Sequence, residues 1–227
     1  MTQTDAGTPR PAPGEGLAAA LEAAAAPVRL QAALTAGMHP HADHVEVLVR
    51  RCAVEPDFYV RDMLTWALTR QDTPATVERL LRELGSGSPR ARSQALHTLS
   101  KIGDPRTWPA ITTDLLQDRD DEVARTAWRT AAALVPEGHE AALAETLATQ
   151  FGRGDREVRR SLSRALVALG PAAEPVIERA RTHRDEGVRA HALATERLVQ
   201  DPDADVDTAV ADARRIVALR GAPLVEE

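Results

Sequence analysis

The chain has 227 residues and a mass of 24.5 kDa, enough to bury a core without cross-links, and its single cysteine, Cys52, excludes an intramolecular disulfide framework and a Cys-rich zinc site. Hydrophobic residues make up 43% but aromatics only 3%, with alanine commonest, a composition that suits close-packed helices and suits a β-sandwich badly. Twenty-eight basic residues against 34 acidic ones, for a net charge of −6, argue against a surface coated in positive charge for nonspecific nucleic-acid binding.

Residues 1–15 (MTQTDAGTPRPAPGE) are rich in Pro, Gly and Thr and read as a disordered arm. A repeat follows. Segments aligned on Val28, Val60, Ala91, Val123, Val158 and Val188 are spaced by 32, 31, 32, 35 and 30 residues, a period that belongs to stacked repeat proteins. From each anchor, apolar residues recur at +4, +7 or +8 and often +11, as in Val158, Leu162, Ala165, Leu166 and Leu169, which is one face of an α-helix.

A first helix precedes most anchors: Leu17 to Ala26, His44 to Val54, Ala75 to Leu84, Trp108 to Leu116, Glu140 to Phe151 and Glu174 to Arg181. The turn between the two helices is acidic or Pro/Gly-bearing (EPDF, GSGSP, DRDDE, GDRE, RDEG), which suits capping of the second helix. Gly37, Gly103 and Gly170, each followed by a proline, read as stops. An amphipathic stretch from Asp207 to Leu219 reads as a capping helix, with 221–227 a tail. No apolar run reaches transmembrane length and no signal-peptide pattern is seen, so the expectation is a cytoplasmic protein with no membrane contact.

These features resemble the HEAT repeat, in its PBS-lyase-type HEAT-like version, most closely from Ala91 to Val123 (ARSQALHTLSKIGDPRTWPAITTDLL, then DRDDEV). The resemblance implies an all-α fold, a right-handed α-solenoid of about six helix-turn-helix repeats over residues 16–220. It also implies that the second helices line the inner, concave surface. Across the six second-helix windows there are 12 basic residues and two acidic ones, Asp62 and Glu196, so these windows carry +10 and the rest of the chain −16. A basic groove inside an acidic shell is expected.

Arg29, Arg61, Arg92, Arg159 and Arg189 all stand at +1, where the resemblance implies pairing with turn carboxylates such as Asp57, Asp121, Asp155 and Asp185. The +2 and +6 positions fall at about 200° and 240°, roughly opposite the core face. Arg125 and Arg160 occupy +2, and Arg129 and Arg164 occupy +6, a ridge that continues in register through His97 and Trp66. Arginine forks suit phosphate or carboxylate, and an exposed Trp suits a partner surface. These six are the candidate partner-binding residues.

Other motifs carry less. His39-Pro40-His41-Ala42-Asp43-His44 resembles the HxHxDH metal motif of the metallo-β-lactamase superfamily, but it lies between helices and its distant partner ligands are missing. Cys52 reads as a core residue, Ser161 and Ser163 lack a recognisable base, and Gly85-Ser86-Gly87-Ser88 is a turn without the lysine and strand of a phosphate loop. HEAT-like DNA glycosylases use Trp and Asp on a basic concave surface, for which Trp66, Trp108, Trp128, Asp62 and Asp114 are the available residues, with Trp128 expected to be partly exposed. Bilin lyases carry similar repeats, but no tetrapyrrole site is identifiable. The sequence reading is therefore a non-catalytic scaffold or adaptor for an acidic or phosphorylated protein segment, with no cofactor. DNA binding or glycosylase activity and metal binding through His39, Asp43 and His44 stand as alternatives, and oligomeric state is left open.

Overall fold

Most of the second helices begin on the same device. In Asp57-x-x-Val60, Asp120-x-x-Val123, Asp155-x-x-Val158 and Asp185-x-x-Val188, the aspartate Oδ1 accepts the valine N–H at 3.0, 3.1, 3.0 and 3.0 Å. Ser88 does the same for Ala91 at 3.3 Å. The recurrent anchor is thus the third residue of a capped helix, and each cap satisfies a donor that the first turn would otherwise leave open. The computed structural model describes residues 12–201.

Twelve α-helices and two 3₁₀ helices, with no strand, are found among the described residues. They are α1 Pro13–Leu21, α2 Ala26–Met38, α3 His44–Val54, α4 Phe58–Thr69, α5 Thr73–Glu83, α6 Pro89–Ile102, α7 Thr113–Leu116, α8 Asp121–Leu134, α9 Glu140–Ala148, α10 Arg156–Ala168, α11 Glu174–Arg181 and α12 Glu186–Gln200. The 3₁₀ helices are Pro105–Ala110 and Gly170–Ala173. The chain divides into two compact units, Met1–Ile102 and Gly103–Glu227.

Within the first unit the second helices α2, α4 and α6 pack in sequence, and α8, α10 and α12 do so within the second. Each row buries its aliphatic face: Leu64, Ala67 and Leu68 on α4, Leu162, Ala165 and Leu166 on α10. Helix α1 starts at Pro13, inside the span 1–15 read as an arm; residues 1–11, the capping helix Asp207–Leu219 and the tail 221–227 lie outside the described residues.

Three expectations are corrected. The first helix expected over 108–116 is a 3₁₀ helix, Pro105–Ala110, and the four-residue α7, because Pro109 removes a donor and its ring clashes with the preceding turn. Gly103 and Gly170 do end their helices with φ of 73° and 59°, but Gly37 lies inside α2, where a Cβ would collide with the ring of Trp66. The +1 arginines mostly grip carbonyl oxygens instead of carboxylates. Arg61 donates to the carbonyls of Glu55 and Pro56 at 3.0 and 2.8 Å, Arg92 to Ser86 at 2.8 Å, and Arg189 to His183 and Arg184 at 2.8 and 2.9 Å. Asp57, Asp155 and Asp185 are occupied as caps and Asp121 is paired with Arg153, so where a +1 guanidinium reaches back it closes the other side of the turn.

Arg29 does take a carboxylate, and it is Glu55. This glutamate is fully buried and takes Arg29 Nε and Nη2 at 2.9 and 2.7 Å, Arg51 Nε at 2.8 Å and the Asp57 N–H at 3.0 Å. Burial pushes the Glu55 carboxyl up, but the hydrogen bonds from Arg29, Asp57 and Arg51 together outweigh it and hold the group at about 2. Arg29 also donates to the Ala23 and Ala24 carbonyls, so one buried fork ties the α1–α2 turn to the α3–α4 turn. Glu55→Ala, which leaves buried arginine without its acceptor, should cost about 3–5 kcal/mol in urea unfolding, several times the loss from an exposed Glu→Ala.

In the second unit a buried histidine has the corresponding task. The Gly152 N–H donates to His191 Nδ1 at 3.0 Å, so Nε2 carries the proton, 3.0 Å from the Arg159 carbonyl and 3.1 Å from Ser163 Oγ. Thr195 donates to the His191 carbonyl at 2.9 Å, so the Ser163 hydroxyl donates to Thr195 at 2.8 Å. Burial, opposed by the Arg159 carbonyl and aided by the Arg159 charge, brings the imidazole down to about 4. A histidine depressed in the folded state stabilises fully above its unfolded value of about 6.5 and loses that contribution as pH falls toward 4, a change of about 3 kcal/mol. Chemical unfolding at pH 7 and pH 4.5 should show most of this loss in the wild type and a flatter profile in His191→Gln.

Candidate arginine surface

The candidate residues fall in both units. Arg125 and Arg129 stand on α8 and Arg160 and Arg164 on α10, two helices that pack directly against each other in the second unit. Trp66 on α4 and His97 on α6 belong to the first unit, at the same register position on neighbouring helices.

Arg129 and Arg164 are exposed, while Arg125 and Arg160 are half-buried with Nε buried and unpartnered. Arg125 meets one acid, Glu122, at 3.6 Å through Nη1. Arg129 is braced on its own helix, with Nη2 donating to Thr126 Oγ1 at 3.1 Å and Nε to the Arg125 carbonyl at 3.4 Å. Partial burial lowers its pKa, against the raising effect of Glu122 and with the repulsion of Arg125. Arg160 and Arg164 have no ion-pair partner among the described residues. Elsewhere in the unit arginines find acids readily, as Arg153 does with Asp121 at 2.8 Å and Arg181 with Glu196 at 2.6 Å. Four arginines on two adjacent helices with a single weak carboxylate contact leave donors for an oxyanion.

Trp66 is 38% exposed, its ring lying against Gly37 of α2, so it offers one edge instead of a free face. His97 is half-buried. The exposed large hydrophobics among the described residues are Val28, Met38, Val54, Phe58, Tyr59 and Trp66, all in the first unit. The sequence reading missed Phe58 and Tyr59, whose rings meet edge to face at 5.6 Å; their place beside a capping aspartate in a helix that buries its other face was the available signal.

The residues of the glycosylase reading are not gathered on one surface. Trp128, expected to be partly exposed, is fully buried, its Nε1 donating to the Leu116 carbonyl at 2.7 Å, because +5 on α8 faces the short α7 instead of solvent. Trp108 is half-buried edge to face with His139 at 5.2 Å, while Asp62 and Asp114 are exposed. In the HxHxDH string, His41 and Asp43 approach to 3.6 Å, His39 is exposed and His44 is buried with its pKa lowered, chiefly by burial. No three His, Cys, Asp or Glu side chains converge among the described residues. Ser163 does meet a histidine, but the serine is buried at 2% exposure between α10 and α12, and the His191 Nε2 that faces it is the protonated nitrogen. Burial pushes the Cys52 thiol up to about 12. Disulfide-exchange reagent at pH 8 should label Cys52 at least a hundredfold more slowly in the folded chain than in guanidinium.

A family model described as HEAT repeats matches residues 51–134. Among solved structures, the chain is similar to the karyopherin Kap121p bound to the extreme C-terminus of the protein phosphatase Cdc14p, at 14% identity and a TM-score of 0.59, covering 92% of this chain and 26% of that one. The same karyopherin bound to Ste12p gives 16% identity, a TM-score of 0.57, and coverage of 90% and 25%. The chain thus spans about a quarter of the karyopherin's length. A looser likeness, with a TM-score of 0.36 and 17% identity, is to the complex of CpcE and CpcF of phycocyanin lyase from Nostoc sp. PCC7120, covering 96% of this chain and 99% of that one. No curated protein matches the sequence. No helix among the described residues is long and apolar enough to cross a membrane.

Proposed function

We propose that the chain, which has an α-solenoid fold and matches a HEAT-repeat model over residues 51–134, is a HEAT-repeat protein that acts as a non-catalytic adaptor capturing an acidic or phosphorylated segment of a partner protein. HEAT solenoids generally bind proteins. The observation that carries the finer reading is the set of under-paired arginines, Arg125, Arg129, Arg160 and Arg164, on the adjacent helices α8 and α10. Their forks supply charge and geometry for carboxylate or phosphate oxygens. The proposed place of action is the cytoplasm.

The test uses fluorescein-labelled octapeptides of glutamate, of serine, and of serine with two phosphoserines, titrated by anisotropy at 50 and 200 mM salt. The two anionic peptides should bind the wild type and weaken with salt, while the serine peptide should not bind. The quadruple Arg→Glu variant at 125, 129, 160 and 164 should lose at least tenfold in affinity with an unchanged helical circular dichroism. Absence of binding at 50 mM salt, or equal binding by the variant, overturns the assignment. Duplex DNA serves as a competitor: a log-log salt slope near about −4 for DNA, with no binding of the peptides, would move the site to nucleic acid.

A further inference from the structure

The chain carries an acidic run of its own close to the arginine surface. Helix α12 ends at Gln200, and Asp201 takes φ −140° and ψ 89°, so the backbone leaves the helix extended. Pro202 lacks an N–H and holds the residue before it away from the helical region, so the helix does not continue across that bond. Asp203, Asp205 and Asp207 then stand at every second residue, separated by Ala204 and Val206, and residues 201–207 contain no basic side chain. On an extended backbone, residues two apart share one side at a spacing of about 6.6 Å. Arg160 and Arg164, four apart on α10, share one side at a spacing of about 6 Å.

The register of the helices sets the reach. His191 meets the Arg159 carbonyl and Ser163, and Thr195 meets Ser163. Positions +3 and +7 of α12 therefore face +1 and +5 of α10, and the two helices run parallel and in step. Gln200, at +12, lies about 9 Å further along than Arg164 at +6, and one helix spacing of about 8–10 Å to the side. The direct path is about 13 Å, which about four or five extended residues cover. Asp205 then comes opposite Arg164, and Asp207, one step further, opposite Arg160. Arg164 is exposed, and neither arginine has an ion-pair partner among the described residues. Both arginines and the acidic run belong to the same compact unit.

We propose that residues 203–207 occupy the arginine surface as an internal ligand, Asp205 on Arg164 and Asp207 on Arg160, and that a partner segment binds by displacing them. Carboxylates set at the pitch of the guanidinium groups make charge-assisted hydrogen bonds to both at once. The tether holds these acids at an effective concentration on the order of millimolar, so a sparsely charged segment is excluded and a densely anionic one competes. The displacement rests on the adaptor reading; the internal contact does not.

The full chain carrying nitroxides at Ala168→Cys, exposed one turn beyond Arg164, and at Ala204→Cys reports the contact by pulsed electron–electron resonance, with buried Cys52 unlabelled. At 50 mM salt the distance distribution should be narrow. It should broaden at least twofold at 1 M salt, in Arg160→Glu/Arg164→Glu and in Asp203→Asn/Asp205→Asn/Asp207→Asn, with circular dichroism unchanged. Labelled octaglutamate should bind the triple asparagine variant at least fivefold more tightly than the wild type. A distribution indifferent to salt and to both sets of substitutions overturns the internal contact and makes the run a fixed continuation of the stack. Equal octaglutamate affinity for wild type and asparagine variant overturns the displacement. A distance that responds to salt and to the arginines, with no anionic peptide bound by either chain, supports the internal contact and rejects the adaptor reading.

Discussion

The two-sided closure of the turn between paired helices is the interaction on which the rest of the fold depends. On one side an aspartate oxygen takes the N–H of the anchor valine, and on the other the arginine one residue later reaches back to carbonyls five and six residues upstream. The cap satisfies open donors at the start of one helix and the guanidinium satisfies open acceptors leading into it, so a short polar turn is ordered without a hydrophobic residue of its own. With the turn fixed, the valine points to the core, and the faces at +4, +7 and +8 follow from helix geometry. The same register sends +6 outward, which is why Arg129 and Arg164 are exposed, while Arg125 and Arg160 at +2 stay half-buried.

Much of this was legible in the sequence because it is local and repeated. Helices α3 and α11 start and end where the spacing placed them, and every second helix contains its expected window to within a residue, beginning two residues before the anchor. The difference at the start has a cause: the anchor is the third residue of a capped helix, and a hydrophobic period cannot see the two polar residues between. What escaped the sequence was whatever depends on a particular neighbour. Glu55 looked like one more turn acid and is instead a fully buried acceptor of two arginines. His191 carried no signal in the repeat pattern and is a tautomer-fixed clamp. Gly37 looked like a stop until the Trp66 ring gave it a different reason to lack a side chain.

Of the candidate site, the positions of the four arginines along their helices were readable, and their scarcity of carboxylate partners was not. A ridge drawn on a helical wheel says which side a residue faces; it cannot say that Arg153 will find Asp121 while Arg160 and Arg164 find no acid among the described residues. That distinction, between charges neutralised within the fold and charges left over, separates ordinary surface arginines from donors available to a partner.

The turns and the cross-ties between repeats differ in kind. Where cap and +1 arginine act together, as at Asp57, Ser88 and Asp185, both come from within the turn's own thirty-odd residues, so a whole period gained or lost by duplication or deletion would carry that closure with it. The Glu55 fork, the Gln71 amide that bridges the Ala36 and Ala67 carbonyls, and the His191 clamp each occur at one position and each join a specific pair of neighbours. Repeats of this chain are therefore alike in how they fold and unlike in what they recognise in one another, so their order along the chain is written into its interior.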